Sequence, residues 1–225
     1  GGAEVLDKVK AIGKQYMEQY ENIEGICIST AGMVDPEEGK IVFAGELMPD
    51  YTGTCIKKEL EKTLGIPCEV ENDVNCAGLA EYISGAAKES HIMFCATVGT
   101  GIGGCAIVDG SVFHGASNSA CEIGYIPMED SDFQTLGASS ILIKKVAGKK
   151  REPLDMWDGK KIFELAEKGD EVCISAIKEM CDVLGKGLAT ICYVLNPDTI
   201  VLGGGVMAQK KILENEIIDS LKRYL

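Results

Sequence analysis

Apolar residues recur along the chain with two alternating periods. Val5, Val9, Ile12 and Tyr16 step at helical spacing and predict an amphipathic helix over Ala3–Tyr20. Gly25–Thr30 then reads as a strand with Ile26 and Ile28 on one face. Ala31-Gly32-Met33 reads as a turn, Asp35–Lys40 as a polar hairpin tip, and Ile41-Val42-Phe43 as the returning strand. Gly45–Tyr51 is expected to be a surface loop, Thr54–Leu64 a helix and Pro67–Val70 a short strand. Cys76, Leu79, Ala80 and Ile83 fall at i, i+3, i+4 and i+7, so Val74–Ala86 is expected to be helical. Ser84–Glu89 reads as a hinge.

The second half opens on two apolar runs, Ile92–Val98 and Cys105–Val108, separated by a glycine-rich turn over Gly99–Gly104. Asp109-Gly110 is a tight turn and Ser111–His114 a third strand. The small-residue loop Gly115–Ala120 leads into Cys121–Tyr125. Ala138–Ala147, Lys160–Lys168, Val172–Leu195 and Lys210–Tyr224 read as helices. Thr199–Leu202 is a strand running into Gly203-Gly204-Gly205. Strands mixed with helices define an α/β protein.

With 225 residues, 46% of them hydrophobic, the chain can bury a substantial core. Its net charge, 22 − 35 = −13, disfavours broad contact with nucleic-acid backbones. Its 10 cysteines lie mostly within apolar runs and form no C-x-x-C, which points to buried thiols of a cytoplasmic protein rather than a disulfide framework. No apolar run is long enough to span a bilayer, so no membrane partner is expected.

Gly99-x-Gly101-x-x-Gly104 has the spacing of a dinucleotide fingerprint, but that fingerprint needs a helix straight after the turn. Here a strand follows, which argues against a dinucleotide fold. Successive N–H groups in a glycine turn still form an anion cradle, although a glycine turn alone is more often free of ligand. A second glycine cluster after a strand, Gly203–Gly205, and a carboxylate at a strand end, in Glu71-Asn72-Asp73, shift the reading toward phosphoryl transfer. The carboxylate would take a hydroxyl proton while the turns hold nucleotide phosphates. Helix capping by Asn72 or Asp73 explains that tripeptide equally well.

The ordered segments GICISTAGMVD, VENDVNCAGLAE, TVGTGIGGCAIVDGSVFHGAS, EIGY and NPDTIVLGGGV resemble the ROK family of sugar kinases and sugar-responsive repressors, from about residue 23 to 206. The resemblance implies a two-domain actin-like ATPase (ribonuclease H-like) fold. It also implies ATP and Mg2+ as cofactors, a hexose or hexose derivative as substrate, and often a homodimer. Asp73 matches the catalytic base acting on the sugar 6-hydroxyl, and Asn72 a sugar-bonding residue. Gly99, Thr100, Gly101 and Gly103 match the turn at the nucleotide phosphates, and Gly203 and Gly204 the turn at the adenosine. Glu122 matches the glutamate of an E-x-G-H element that contacts sugar hydroxyls.

Two departures shape the expectation. Tyr125 replaces the histidine of E-x-G-H, and Met128–Ala138 lacks the cysteines that would complete a zinc site, so no zinc is expected. Thr135 stands where another sugar-contacting glutamate is usual. This pattern resembles the branch acting on β-glucosides or N-acetylmannosamine; glucose and N-acetylglucosamine remain candidates. The family also opens with a strand and a D-x-G-G-T phosphate loop that has no counterpart here, and it ends with a further helical segment. The expected organisation is an N-terminal domain over 1–87 and a C-terminal domain over 88–225, each lacking one of those pieces, with ATP and sugar meeting in the cleft between them. Such a chain could be inactive by itself. A sugar-sensing repressor without catalysis is the alternative function.

Overall fold

A computed structural model describes residues 1–45 and 48–225. Contacts divide the chain into two compact units, residues 1–77 with 114–120, and residues 78–113 with 121–225. The division between residues 77 and 78 falls within a helix.

The first unit opens on helix α1 (Gly2–Gln19), followed by strands β1 (Ile26–Thr30), β2 (Met33–Asp35) and β3 (Lys40–Phe43). Helix α2 (Ile56–Leu64), strand β4 (Cys68–Asn72) and helix α3 (Asp73–Ser84) follow. β1 and β4 pair in parallel, with Thr30 opposite Asn72. β2 and β3 form an antiparallel hairpin. Met33, expected in a turn, begins β2, because its pairing with Phe43 extends the hairpin. Val34, Ile41, Tyr51, Ile56, Leu60 and Val70 form the core of this unit. Part of the expected loop Gly45–Tyr51, namely Glu46 and Leu47, lies outside the described residues. Tyr51 itself is buried rather than on the surface, and its hydroxyl is 2.7 Å from Thr30 Oγ1.

The second unit contains β5 (Ile92–Val98), β6 (Ile102–Val108) and β7 (Ser111–Val112). A 3-10 turn spans Ile123–Tyr125, before the short hairpin β8 (Pro127–Met128) and β9 (Ser131–Asp132). Helices α4 (Phe133–Gly137), α5 (Ser139–Lys150), α6 (Gly159–Glu167) and α7 (Glu171–Leu195) come next. Strand β10 (Thr199–Gly203) and helix α8 (Lys210–Tyr224) close the chain.

The sheet order is β10-β5-β6-β7, with β10 parallel to β5 and the remaining pairs antiparallel. Asp198 fixes the start of the parallel pair: its carboxylate accepts the His91 and Ile92 N–H groups at 2.8 and 3.2 Å. These backbone donors hold the Asp198 carboxyl below the usual carboxylate range. Phe94, Phe133, Leu142, Met180, Leu184 and Leu188 lie in the core of this unit. Of the cysteines in apolar runs, Cys95 and Cys105 are buried, but Cys27 is exposed and Cys192 only partly buried; loss of solvent pushes the buried Cys181 thiol up to about 12. Among the described residues, no helix is long and apolar enough to cross a membrane.

Candidate functional site

The sheet of the second unit places both glycine turns together. β5 and β10 are parallel neighbours, and Gly203 lies opposite Thr97, so the turns after them leave the same end of the sheet. That end, at the carboxyl termini of parallel strands, is where α/β sheets bind ligands. The first turn is shorter than the sequence implied. Only Gly99, Thr100 and Gly101 lie between strands, whereas Gly103 and Gly104 belong to β6, opposite Thr97 and Ala96.

The role of Gly104 is therefore packing. A Cβ there would stand 2.6 Å from the Cys121 carbonyl oxygen and 2.8 Å from Phe94 Cζ. Gly99, by contrast, has nothing within 4 Å of its Cβ position, so its backbone is open to a ligand. α5 holds the turn from behind. The Ser139 N–H and hydroxyl donate to the Gly99 carbonyl at 3.0 and 2.5 Å, and the Ser140 hydroxyl donates to the Thr100 carbonyl at 2.7 Å. Among the described residues, the Thr100 and Gly101 N–H groups make no hydrogen bond with the chain. Carbonyls tied back and N–H groups left open suit an anion.

The second turn complements the first. Gly204 adopts φ 91°, and a Cβ on it would overlap the Val98 backbone. Gly205 begins a 3-10 turn and has nothing within 4 Å of its Cβ position. These bare backbones fit the close approach of a nucleotide.

Glu122, Tyr125 and Thr135 belong to the same unit. Glu122 precedes the 3-10 turn, whose Gly124 packs under Ile102 and leaves Tyr125 exposed. Thr135 is exposed on α4, and its N–H donates to the capping carboxylate of Asp132 at 2.8 Å. Gln134, which the motifs did not single out, joins the two elements. Its Oε1 is 2.8 Å from the Cβ position of Gly101 and 3.0 Å from that of Gly124.

In the first unit, β4 ends on Asn72 and α3 begins on Asp73. Asn72 Oδ1 accepts the Val74 and Asn75 N–H groups at 2.8 and 3.1 Å, so Asn72 is the helix cap. Asn72 Nδ2 donates to the Gly32 carbonyl at 3.0 Å, leaving its second hydrogen available. Asp73 is exposed at the positive end of the helix, with Oδ1 accepting the Val74 N–H at 3.0 Å.

Glu71, beside them, is 2.7 Å from His114 Nε2. His114 is thus a partner of this corner. No sequence signal links residues 43 apart, since the pair forms only through folding.

This α/β arrangement, with glycine turns at the carboxyl ends of paired strands and a carboxylate at a strand–helix junction, is that of the actin-like ATPase fold. The chain belongs to the ROK family, whose model matches residues 3–225. An uncharacterised protein of Clostridium perfringens is 46% identical over the whole chain, which spans 76% of that protein. A β-glucoside kinase of Klebsiella pneumoniae is 32% identical over 92% of the chain and 72% of its own length. A ROK family glucokinase from Streptomyces griseus, solved with glucose and AMPPNP, superimposes with TM-score 0.83 at 26% identity, covering 100% of this chain and 78% of that one.

Proposed function

We propose that the protein is an ATP-dependent sugar kinase that phosphorylates the 6-hydroxyl of a hexose or hexose derivative. The observation that carries this reading is the exposed Asp73 carboxylate at the β4–α3 junction, on a corner held by the Asn72 cap. Asp73 accepts the proton of the sugar hydroxyl while its oxygen forms a bond to the γ-phosphorus. The bond to the bridging oxygen breaks, and ADP leaves. The N–H groups of Thr100 and Gly101 receive phosphate oxygens, and the bare backbones at Gly203–Gly205 receive the adenosine side of the nucleotide. Mg2+ bound to the nucleotide would neutralise phosphate charge there.

For sugar hydroxyls the first unit offers the second Nδ2 hydrogen of Asn72, and the second unit offers Glu122, Tyr125 and Thr135. Tyr125 offers no zinc-ligating nitrogen, and Met128–Ala138 offers no thiolate, so the sugar site works without zinc. Packing of Gly124 against Ile102 and Gln134 takes over the orienting role. The similarity to a β-glucoside kinase supports β-glucosides as candidates, beside N-acetylmannosamine, glucose and N-acetylglucosamine. Family resemblance adds a homodimer, which light scattering checks. Sugar-dependent release of ADP across those sugars tests the activity. DNA binding with no turnover on any of them would replace it with a sugar-responsive repressor.

A further inference from the structure

Glu71 immediately precedes the corner that carries Asn72 and Asp73, and it makes more contacts than capping requires. Its Oε1 accepts the Asn72 N–H at 2.7 Å and the Asn75 Nδ2 at 2.9 Å. Its Oε2 is 2.7 Å from His114 Nε2, and the two side chains are only 17% and 25% exposed. Asn72 N–H and Asn75 Nδ2 can only donate, so the Glu71 carboxylate accepts through Oε1. The geometry at Oε2 is satisfied when His114 carries a proton on Nε2.

His114 heads a closed loop. The Ala120 N–H donates to the His114 carbonyl at 3.1 Å, Ser117 and Ser119 hydroxyls are 2.8 Å apart, and Gly115 adopts φ 73°. The chain then runs directly into Cys121–Tyr125, which carries Glu122 and Tyr125. One interaction therefore anchors both the peptide leading to Asp73 and the segment leading to the candidate sugar contacts.

We propose that His114 is a positioning residue for phosphoryl transfer: its Nε2–H, held on Glu71, fixes the corner from which Asp73 acts. This rests on the kinase reading above. A structural tie alone would affect folding. A positioning tie affects turnover in the folded enzyme, because small misplacement of a reacting group costs on the order of 10²-fold in rate.

Two measurements test the assignment. With only two histidines in the chain, nitrogen NMR on 15N-histidine protein, with His91→Asn to assign the signals, reads the His114 tautomer directly. The expected result is a proton on Nε2 and a shift of the His114 signals in Glu71→Gln. A bare Nε2 with the proton on Nδ1 would overturn the proposal, whatever the protein catalyses.

Steady-state kinetics supply the second measurement. His114→Ala is expected to lower kcat on the order of 10²-fold with the KM for ATP unchanged. His114→Gln, whose amide nitrogen reaches as far as the imidazole Nε2, is expected to recover most of that loss. Unchanged kcat in folded His114→Ala, or equal impairment in His114→Gln, would contradict the positioning role. Wild-type protein without sugar-dependent ADP release would instead contradict the kinase reading, leaving the tautomer result to decide the pairing.

Discussion

Gly204 packs against Val98 so closely that a Cβ on Gly204 would overlap the Val98 carbonyl oxygen. The contact joins the ends of β10 and β5 and sets the two glycine turns side by side. Gly204→Ala must also carry a side chain at φ 91°. Such strain costs about 1–3 kcal/mol, so the substitution is expected to lower the unfolding free energy by that amount or more, read as a lower urea midpoint. Gly205→Ala meets nothing within 4 Å and is expected to leave the midpoint unchanged. Its expected effect is weaker AMPPNP binding by calorimetry. Equal stability of the two variants would refute the packing argument, and unaltered AMPPNP affinity in Gly205→Ala would remove that turn from the nucleotide site.

Asn72 combines two duties, capping α3 and bonding the Gly32 carbonyl. Asn72→Ala removes both and is expected to destabilise the protein by about 0.5–2 kcal/mol from the cap alone. Asn72→Asp keeps the capping oxygen but loses the donor to Gly32, so its stability should lie nearer wild type. Both variants lose the spare Nδ2 hydrogen and are expected to raise the KM for sugar. Chemical denaturation alongside sugar titration separates the two effects. If Asn72→Asp keeps the wild-type KM, Asn72 does not touch the sugar.

Acid stability should depend on a residue with no proposed part in the chemistry. Lys150 Nζ lies 2.6 Å from Asp170, and it, together with the Cys173 N–H, holds the Asp170 carboxyl at about 2. The folded value is below the unfolded value of about 3.9, so this contribution is present above that pH. It is lost as the pH falls toward about 2. Urea midpoints measured from neutral pH downward should therefore fall more steeply in wild type than in Asp170→Asn. Parallel profiles would show that the pair contributes nothing.

The elements legible in the sequence were those with long regular periods. α8 matches its expected bounds, while α7 and β10 each gain one residue; α1 is shifted by one. The reading failed where tertiary contact overrides local preference. Glycines disfavour strands, so Gly103 and Gly104 read as turn. Yet β6 pairs with β5 along its whole length, and the Cys121 carbonyl and Phe94 leave no space for a side chain at Gly104. The basic run Lys149-Lys150-Arg151 carries no local sign of a partner, yet Lys149 and Lys150 pair with Glu179 and Asp170, which lie far along the chain.

The candidate site was legible to the same degree. Asp73 and both glycine turns announce themselves locally through residue type and position at strand ends. The parts that hold them do not. Ser139 and Ser140 reach the first turn across 40 residues, and His114 reaches Glu71 across 43. No periodicity encodes such distances, and only the folded chain brings each of these pairs together.

The measurement that bears most directly on the account is sugar-dependent ADP release by Asp73→Asn. The substitution keeps size and polarity while removing the base, and Asp73 is exposed, so the fold should be retained with only the small loss of a charge at the helix N-terminus. A positioned base contributes on the order of 10²-fold or more, so kcat should fall by at least that factor with sugar affinity retained. Turnover near the wild-type rate would contradict the central assignment of Asp73 as the base.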